Sequence, residues 1–402
     1  MNSDITPPYK DTGKLCLRQW FYCCLQIFDK TTKFKRLLEK ALIAMLFGFF
    51  NGTFAGYEQL LFKQYGCDAL RYIICRAKLP WESFRDMYNL WAVSFIKKVS
   101  QRYNVPISAS IDDMLEPKDH RSKDIVKGGK RNKIVGFSFV TCVLSSGHIA
   151  IPLIPRIAIR EDVCKSMEIK YKSKVTIAIE FVKNFSALGL KGMNLTVLLD
   201  SWYTSKDMLK TISENGFETV SAIKKNRKVN RFSIEDFRKV LRRKQRTKID
   251  SGEHTYYLYL QKGTLSGLKK EYVVLMSKRV RKKDKRETWR YILSSNVNMK
   301  ATEILSVYSR RWVVETFHQI WQHRFGIKNW QVKGLERQRN LMIITVMAMG
   351  FAVYYAMKHM TDEHLEVLIK QNRSIMSEGL ELVRTALILQ QGGVLLQCNK
   401  FT

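Results

Sequence analysis

Between Ile107 and Ile223 the chain alternates short β-type runs with helical ones, and that order constrains the fold more than any other feature. Ile107 to Asp113 is a run of apolar and small residues ending in two aspartates. Ile134 to Leu144 and His148 to Ile159 are β-rich, with Ser145-Ser146-Gly147 as the turn between them. Glu161 to Leu188 reads as helical. Leu195-Thr-Val-Leu-Leu-Asp200 reads as a buried strand and again ends in an aspartate. Thr204 to Asn215 reads as a helix and Glu218 to Ile223 as a further strand. Three strands, helix, strand, helix, strand predict an α/β domain.

The flanks differ. Residues 1 to about 104 have helical periodicity, as in Trp81-Glu-Ser-Phe-Arg-Asp-Met-Tyr-Asn-Leu-Trp, with Pro80 and Pro106 as boundaries. After Ile223 comes an interruption over about 225–300, with strand-like segments at Tyr256–Gln261, Tyr272–Met276 and Trp289–Leu293. A helix carrying Glu315, a core helix near 339–358 and a helical tail over 362–390 complete the pattern. Two or three domains are expected in 402 residues.

Lys plus Arg number 69 against 36 Asp plus Glu, a net charge of +33. Such a balance calls for a polyanionic partner, and its spread along the chain favours nucleic acid over a membrane surface. Leu341–Met357 is apolar apart from Thr345 and Gly350 but short for a membrane span, so a buried core helix is expected. The eight cysteines include no Cys-x-x-Cys pair, and in a chain of this size they read as reduced thiols of a cytosolic protein. Met1–Lys14 lacks the apolar stretch of a signal peptide. His318 and His323 lack helical zinc spacing, and Gly263-Thr-Leu-Ser-Gly267 is not a phosphate loop.

The chemistry resides in carboxylates. Tyr308, Arg311 and Glu315 stand at i, i+3 and i+7, on one face of a helix whose opposite face carries Val313, Val314, Phe317, Ile320 and Trp321. Asp112/Asp113 and Asp200 end strands upstream. Together with Glu315 they are a candidate metal site of hard oxygen donors, suited to Mg²⁺ or Mn²⁺. Two such ions can align an oxygen nucleophile for in-line attack on a phosphodiester. Taken singly, each aspartate also suits a turn or a helix cap, and Arg311–Glu315 also suits a surface ion pair.

These residues resemble those of the DDE transposases of the RNase H-like superfamily, of the insertion-sequence, IS-four-like type with a β insertion. Ile111-Asp112-Asp113-Met114-Leu115-Glu116-Pro117-Lys118 is similar to the first-aspartate motif, an Asp-Asp-Thr followed by Pro-Lys. Val197-Leu-Leu-Asp200-Ser-Trp-Tyr-Thr-Ser205 resembles the second-aspartate strand. Tyr308, Arg311 and Glu315 match the signature Tyr-x2-Arg-x3-Glu. Gln322 stands where the signature has lysine, with His323 and Arg324 beside it, and Met114 replaces the threonine. The resemblance covers about residues 34–358.

It implies an RNase H-like catalytic core, a mixed sheet flanked by helices, in two parts (105–224 and 301–358). A basic β insertion (225–300) interrupts the core. A helical DNA-binding region (1–104) precedes it and a helical tail (359–402) follows. The implied activity is metal-dependent nicking at element ends and joining of the 3′-hydroxyl to target DNA. The alternative is a DNA-binding derivative without catalysis. Asp112, Asp200 and Glu315 would be catalytic and bind two ions. Both Asp112 and Asp113 remain candidates for the first ligand, the family register favouring Asp112. Tyr308, Arg311, Gln322 and Arg324 would meet DNA near the cut. Lys118, on the loop to Lys133, would track the backbone with Lys224, Lys225, Arg227 and Lys228, which open a run to Lys248 holding 12 Lys or Arg. Trp289 would stack on a flipped base or sit in a strand core. Expected partners are DNA with terminal inverted repeats, target DNA and a second copy of the chain, with no membrane. The expected location is cytoplasmic, at the nucleoid.

Overall fold

The structure, a computed structural model, describes residues 17, 20, 32–47, 67–117, 126–127, 135–241, 246–330, 332, 334–371 and 373–398. Three helices come first: α1 (Thr32–Phe47), α2 (Cys67–Cys75) and α3 (Trp81–Tyr103). Then follow β1 (Ile107–Pro117), β2 (Val126–Lys127), β3 (Val135–Ser146), β4 (Ile149–Pro152) and β5 (Arg156–Ala158). The expected helix over 161–188 is two, α4 (Glu161–Ser166) and α5 (Lys174–Ala187). Ser173 starts the second by accepting the Thr176 N–H at 3.1 Å. β6 (Leu195–Leu199), α6 (Lys206–Glu214) and β7 (Glu218–Ala222) complete the predicted order.

The sheet is mixed. β1 pairs antiparallel with β3 and parallel with β6, and β6 pairs parallel with β7. β2, β4 and β5 all pair with β3. β6 is buried at every residue because it is central and covered on both faces, which is why its sequence is an unbroken apolar run. Helices flank this sheet.

The interruption over 225–300 builds β8 (Lys228–Val229), β9 (Phe232–Ser233), α7 (Ile234–Lys239), β10 (Thr247–Ser251), β11 (His254–Thr264), β12 (Glu271–Arg281) and β13 (Glu287–Ser294). β10 to β13 form an antiparallel meander, and β13 pairs with β7 through Ile292↔Ala222, Leu293↔Ser221 and Ser294↔Val220. The insertion therefore extends the core sheet, giving eleven strands among the described residues.

After the sheet come α8 (Ala301–Ser309), α9 (Trp312–Gln319), a π turn (Ile320–Arg324), a 3₁₀ turn (Ile327–Asn329), α10 (Leu335–His359), α11 (Asp362–Lys370) and α12 (Ile375–Cys398). α10 is the apolar helix noted in the sequence. It is long and apolar enough to cross a membrane, yet 89% of its apolar window is buried inside the fold. It packs on α1, α2, α3, β4 and α12. Asn340 donates to the carbonyls of Ile73 (2.9 Å) and Ala77 (2.8 Å), capping the end of α2. A Cβ on Gly379 of α12 would lie 2.3 Å from the Ala352 carbonyl oxygen, so glycine permits the α10–α12 approach.

Candidate active site

The parallel ladder between β1 and β6 ends at Ile111↔Leu199. The next residues are Asp112 and Asp200, so both stand at the carboxyl end of β6, where open α/β sheets place ligands. Asp112 and Asp113 were expected to end their strand. They stand within it instead, because β1 continues along β3 to Pro117↔Gly136. Asp200 begins a turn: its Oδ1 accepts the N–H groups of Trp202 (2.7 Å) and Tyr203 (3.3 Å). It does not cap α6; Ser205 does.

Glu315 reaches the same place from the far end of the chain. The single helix expected through Tyr308 and Glu315 is broken at Arg310–Arg311. There the bonds are i→i−3, Arg311 N–H to Tyr308 (3.0 Å) and Val314 N–H to Arg311 (3.2 Å), the tighter 3₁₀ spacing. α9 then packs on β1 and β3, burying Val314 and Phe317, while Val313 stays half-buried. Trp321, one turn on, is fully buried, and its indole N–H donates to Thr345 of α10 at 2.9 Å. Arg311 joins the elements: Nη1 donates to Asp112 Oδ2 at 3.0 Å, and Nη2 donates to Glu315 Oε1. A second tie lies beneath. The Thr141 hydroxyl donates its one proton to the Asp112 carbonyl (3.0 Å), so His318 Nε2, 2.8 Å away, must donate to Thr141. Burial lowers the His318 pKa to about 4, so the ring is neutral at pH 7.

Successive residues of a strand face opposite sides, and Asp112 and Asp113 have different partners. Asp113 accepts from Lys174 (2.6 Å) and from the Tyr203 hydroxyl (2.8 Å). Asp112 faces Arg311. Burial raises its pKa from 3.8 to about 6, against the Asp113 N–H and Arg311, which lower it, and with Asp200 and Asp113, which raise it. A buried carboxylate with excess negative charge around it is what a cation relieves. The oxygen donors of Asp112, Asp200 and Glu315 therefore suit a hard divalent ion, with Arg311 between two of them. Among the described residues, no group of three or more His, Cys, Asp or Glu already stands in a metal-binding arrangement.

Residues 171–351 match the family model described as a transposase DDE domain. That stretch, a little under half of the chain, is similar to the DDE domain of transposases. The match takes in Asp200 and Glu315 and begins after Asp112, whose place rests on the ladder geometry. No curated protein matches the chain. Solved structures similar to it include a cryo-EM structure of a piggyBac transposase synaptic complex with hairpin DNA. That similarity is 12% identity and a TM-score of 0.47, over 96% of this chain and 80% of that one.

The other residues singled out in the sequence divide into two sets. Tyr308 lies at the carboxylates, its ring 5.8 Å from the Arg311 guanidinium, and burial raises its pKa. Lys224 follows β7, with its ammonium 5.3 Å from the ring centre of Trp202 beside Asp200. Lys225 and Lys228 are exposed and Arg227 is half-buried. Gln322, on the π turn, donates to Glu116 of β1 at 3.3 Å. Arg324 turns away and pairs with Glu381 of α12 at 3.0 Å. Trp289 is half-buried against Tyr259, 6.2 Å between ring centres, with Arg238 and Lys278 over it, so it belongs to the insertion's own core. Lys118 lies outside the described residues.

Sequence reasoning missed Lys174 and Tyr203, which hold Asp113. It also missed Trp202 and Trp312, 61% and 59% exposed. These two flank Asp200 and Arg311 in sequence, and that adjacency was the available signal.

Proposed function

We propose that this protein is a transposase that cuts DNA at the ends of a mobile element and joins the freed 3′-hydroxyl to target DNA, using Mg²⁺ or Mn²⁺. One observation supports the reading: Arg311 ties Asp112 of β1 to Glu315 of α9, next to the strand whose end leads into Asp200. The reading takes Asp112 rather than Asp113 as the first ligand, because Asp112 shares Arg311 with Glu315, whereas Asp113 accepts from Lys174 and Tyr203. Bound ions would supply charge neutralisation and activation of the attacking oxygen.

The chain's own groups do the positioning. Arg311 holds Asp112 and Glu315 in register in the free protein, and its guanidinium is a bidentate donor suited to an arriving phosphate. Tyr308 stands beside it. Lys224, Trp202 and Trp312 present charge and open aromatic faces at the rim, a combination suited to a single strand. Two copies of the chain in the DNA complex are part of the proposal.

The experiment is cleavage of a duplex carrying the element's terminal repeats, with Mg²⁺, by wild type and Glu315→Gln. Wild type cuts; the variant binds the duplex and does not cut. Normal cutting by Glu315→Gln sinks the assignment. Binding without cutting by wild type leaves a DNA-binding protein only.

A further inference from the structure

A cavity of about 350 Å³ opens where the N-terminal end of α3, the segment leading from β5 to α5, and the start of α10 meet. None of the candidate catalytic residues lines it. Five cations do, Arg85, Arg156, Lys170, Lys172 and Arg339, against Glu82 and Glu180. Arg156 is the most enclosed, with a side chain 13% exposed. It donates to Glu180 and lies 4.9 Å from the Phe181 ring centre, while its Nε is buried without a partner. Glu180 also serves Lys172 at 2.5 Å. Asp86 and Glu336 partner Arg85 and Arg339, while Arg156 and Lys172 share Glu180, so the cavity's five cations exceed the carboxylates around them by one. Burial, and then the like charge of Arg85, lowers the pKa of Arg156, which shows the same deficit. An unpaired buried donor and crowded guanidinium groups are costly unless an anion arrives.

The rest of the wall is apolar: Pro155, Ile157, Ile169 and Met342. Trp81 is clasped by Arg85 and Arg339, at 5.0 and 4.7 Å from its ring. The volume lies in the range of small-ligand sites, which combine an apolar wall with a few fixed polar groups.

We propose that this cavity binds a nucleoside phosphate, its phosphate on Arg156, Lys172 and Arg339 and its base against Ile157, Ile169 and Met342. The phosphate has two sources, a free nucleotide or a nucleotide of a DNA strand splayed into the pocket. Lys170 and Lys172 lie on the segment that leads into α5, whose first residue, Lys174, pairs with Asp113. Occupancy of the pocket therefore has a direct covalent route to the carboxylates.

The test is equilibrium binding by the full-length protein without metal, so that it stands apart from catalysis. ADP is titrated calorimetrically and a short duplex by fluorescence anisotropy. Variants are Arg156→Gln, Lys172→Gln and Glu180→Gln, with Lys210→Gln on exposed α6 as a control. If the source is a free nucleotide, ADP binds wild type and about tenfold more weakly to the Arg156 and Lys172 variants, with duplex affinity unchanged. If the source is DNA, the duplex weakens by about tenfold in those variants and ADP does not bind. In either case Glu180→Gln tightens the same ligand several-fold, a gain that loss of folding does not produce. Should Arg156→Gln fail to fold, Lys172→Gln on the rim decides. Equal affinities for both ligands in wild type, Lys172→Gln and Glu180→Gln overturn the proposal. So do losses no larger than that of Lys210→Gln.

Discussion

Asp112→Asn should make the protein more stable at neutral pH and above. Folding raises the Asp112 pKa from 3.8 to about 6, which corresponds to about 3 kcal/mol at ~1.4 kcal/mol per unit. The side chain is 19% exposed, so solvent screens the effect and this figure is an upper value. Below pH ~3.8 both states hold the proton and the group contributes no difference. Between ~3.8 and ~6 only the folded protein holds it, so stability falls as pH rises. Above ~6 the full cost of a buried carboxylate remains. Asparagine carries no charge and removes that cost, while Arg311 keeps Glu315 as a partner. The assay is urea unfolding with a chelator present, for wild type and variant, from about pH 4 to about pH 8. The two midpoints coincide near pH 4 and separate progressively above it, the variant higher. A variant less stable at pH ~8, or a difference that ignores pH, would refute the burial argument.

Tyr203→Phe removes a hydroxyl from Asp113 and should cost about 1–2 kcal/mol by the same urea midpoints, with Lys174 left as the remaining partner. Gly379→Ala forces a Cβ against the Ala352 carbonyl and should cost about 1–3 kcal/mol, visible as a lowered Tm; an unchanged Tm would mean α10 and α12 do not approach so closely. Trp289→Ala should lower the urea midpoint and leave affinity for single-stranded DNA alone. Trp202→Ala should do the reverse, weakening binding by about 1–3 kcal/mol. Similar effects of the two on binding would contradict the placement of Trp289 in the insertion core.

The sheet was legible wherever burial writes itself into sequence. Leu195–Leu199 is apolar because both faces are covered, and the order of strands and helices to Ala222 follows from such runs. The site was legible where residues are spaced along one element, as with Arg311 and Glu315. It was not legible where partners are distant in sequence. Lys174 and Tyr203 meet Asp113 across 61 and 90 residues, and no local pattern announces either. Arg324 is drawn from the carboxylates by Glu381, again a distant residue. The break at Arg310–Arg311 lacks the Gly or Pro that usually marks one; packing of α9 on β1 and β3 sets it. Trp289 had both readings open, and its packing against Tyr259 was not visible in the sequence.

The pairing of β13 with β7 has a mechanical meaning. A domain tethered by loops can swing without disturbing its host, but this insertion shares a continuous ladder with the core. A pull on β11 or β12 passes crosswise through hydrogen bonds to β7, then to β6, which ends beside Asp200. A displacement of the outer strands would thus reach, through that ladder, the strand that leads into Asp200. The insertion works as a lever arm rather than a flap. Cutting that ladder, not shortening a linker, is what would uncouple it.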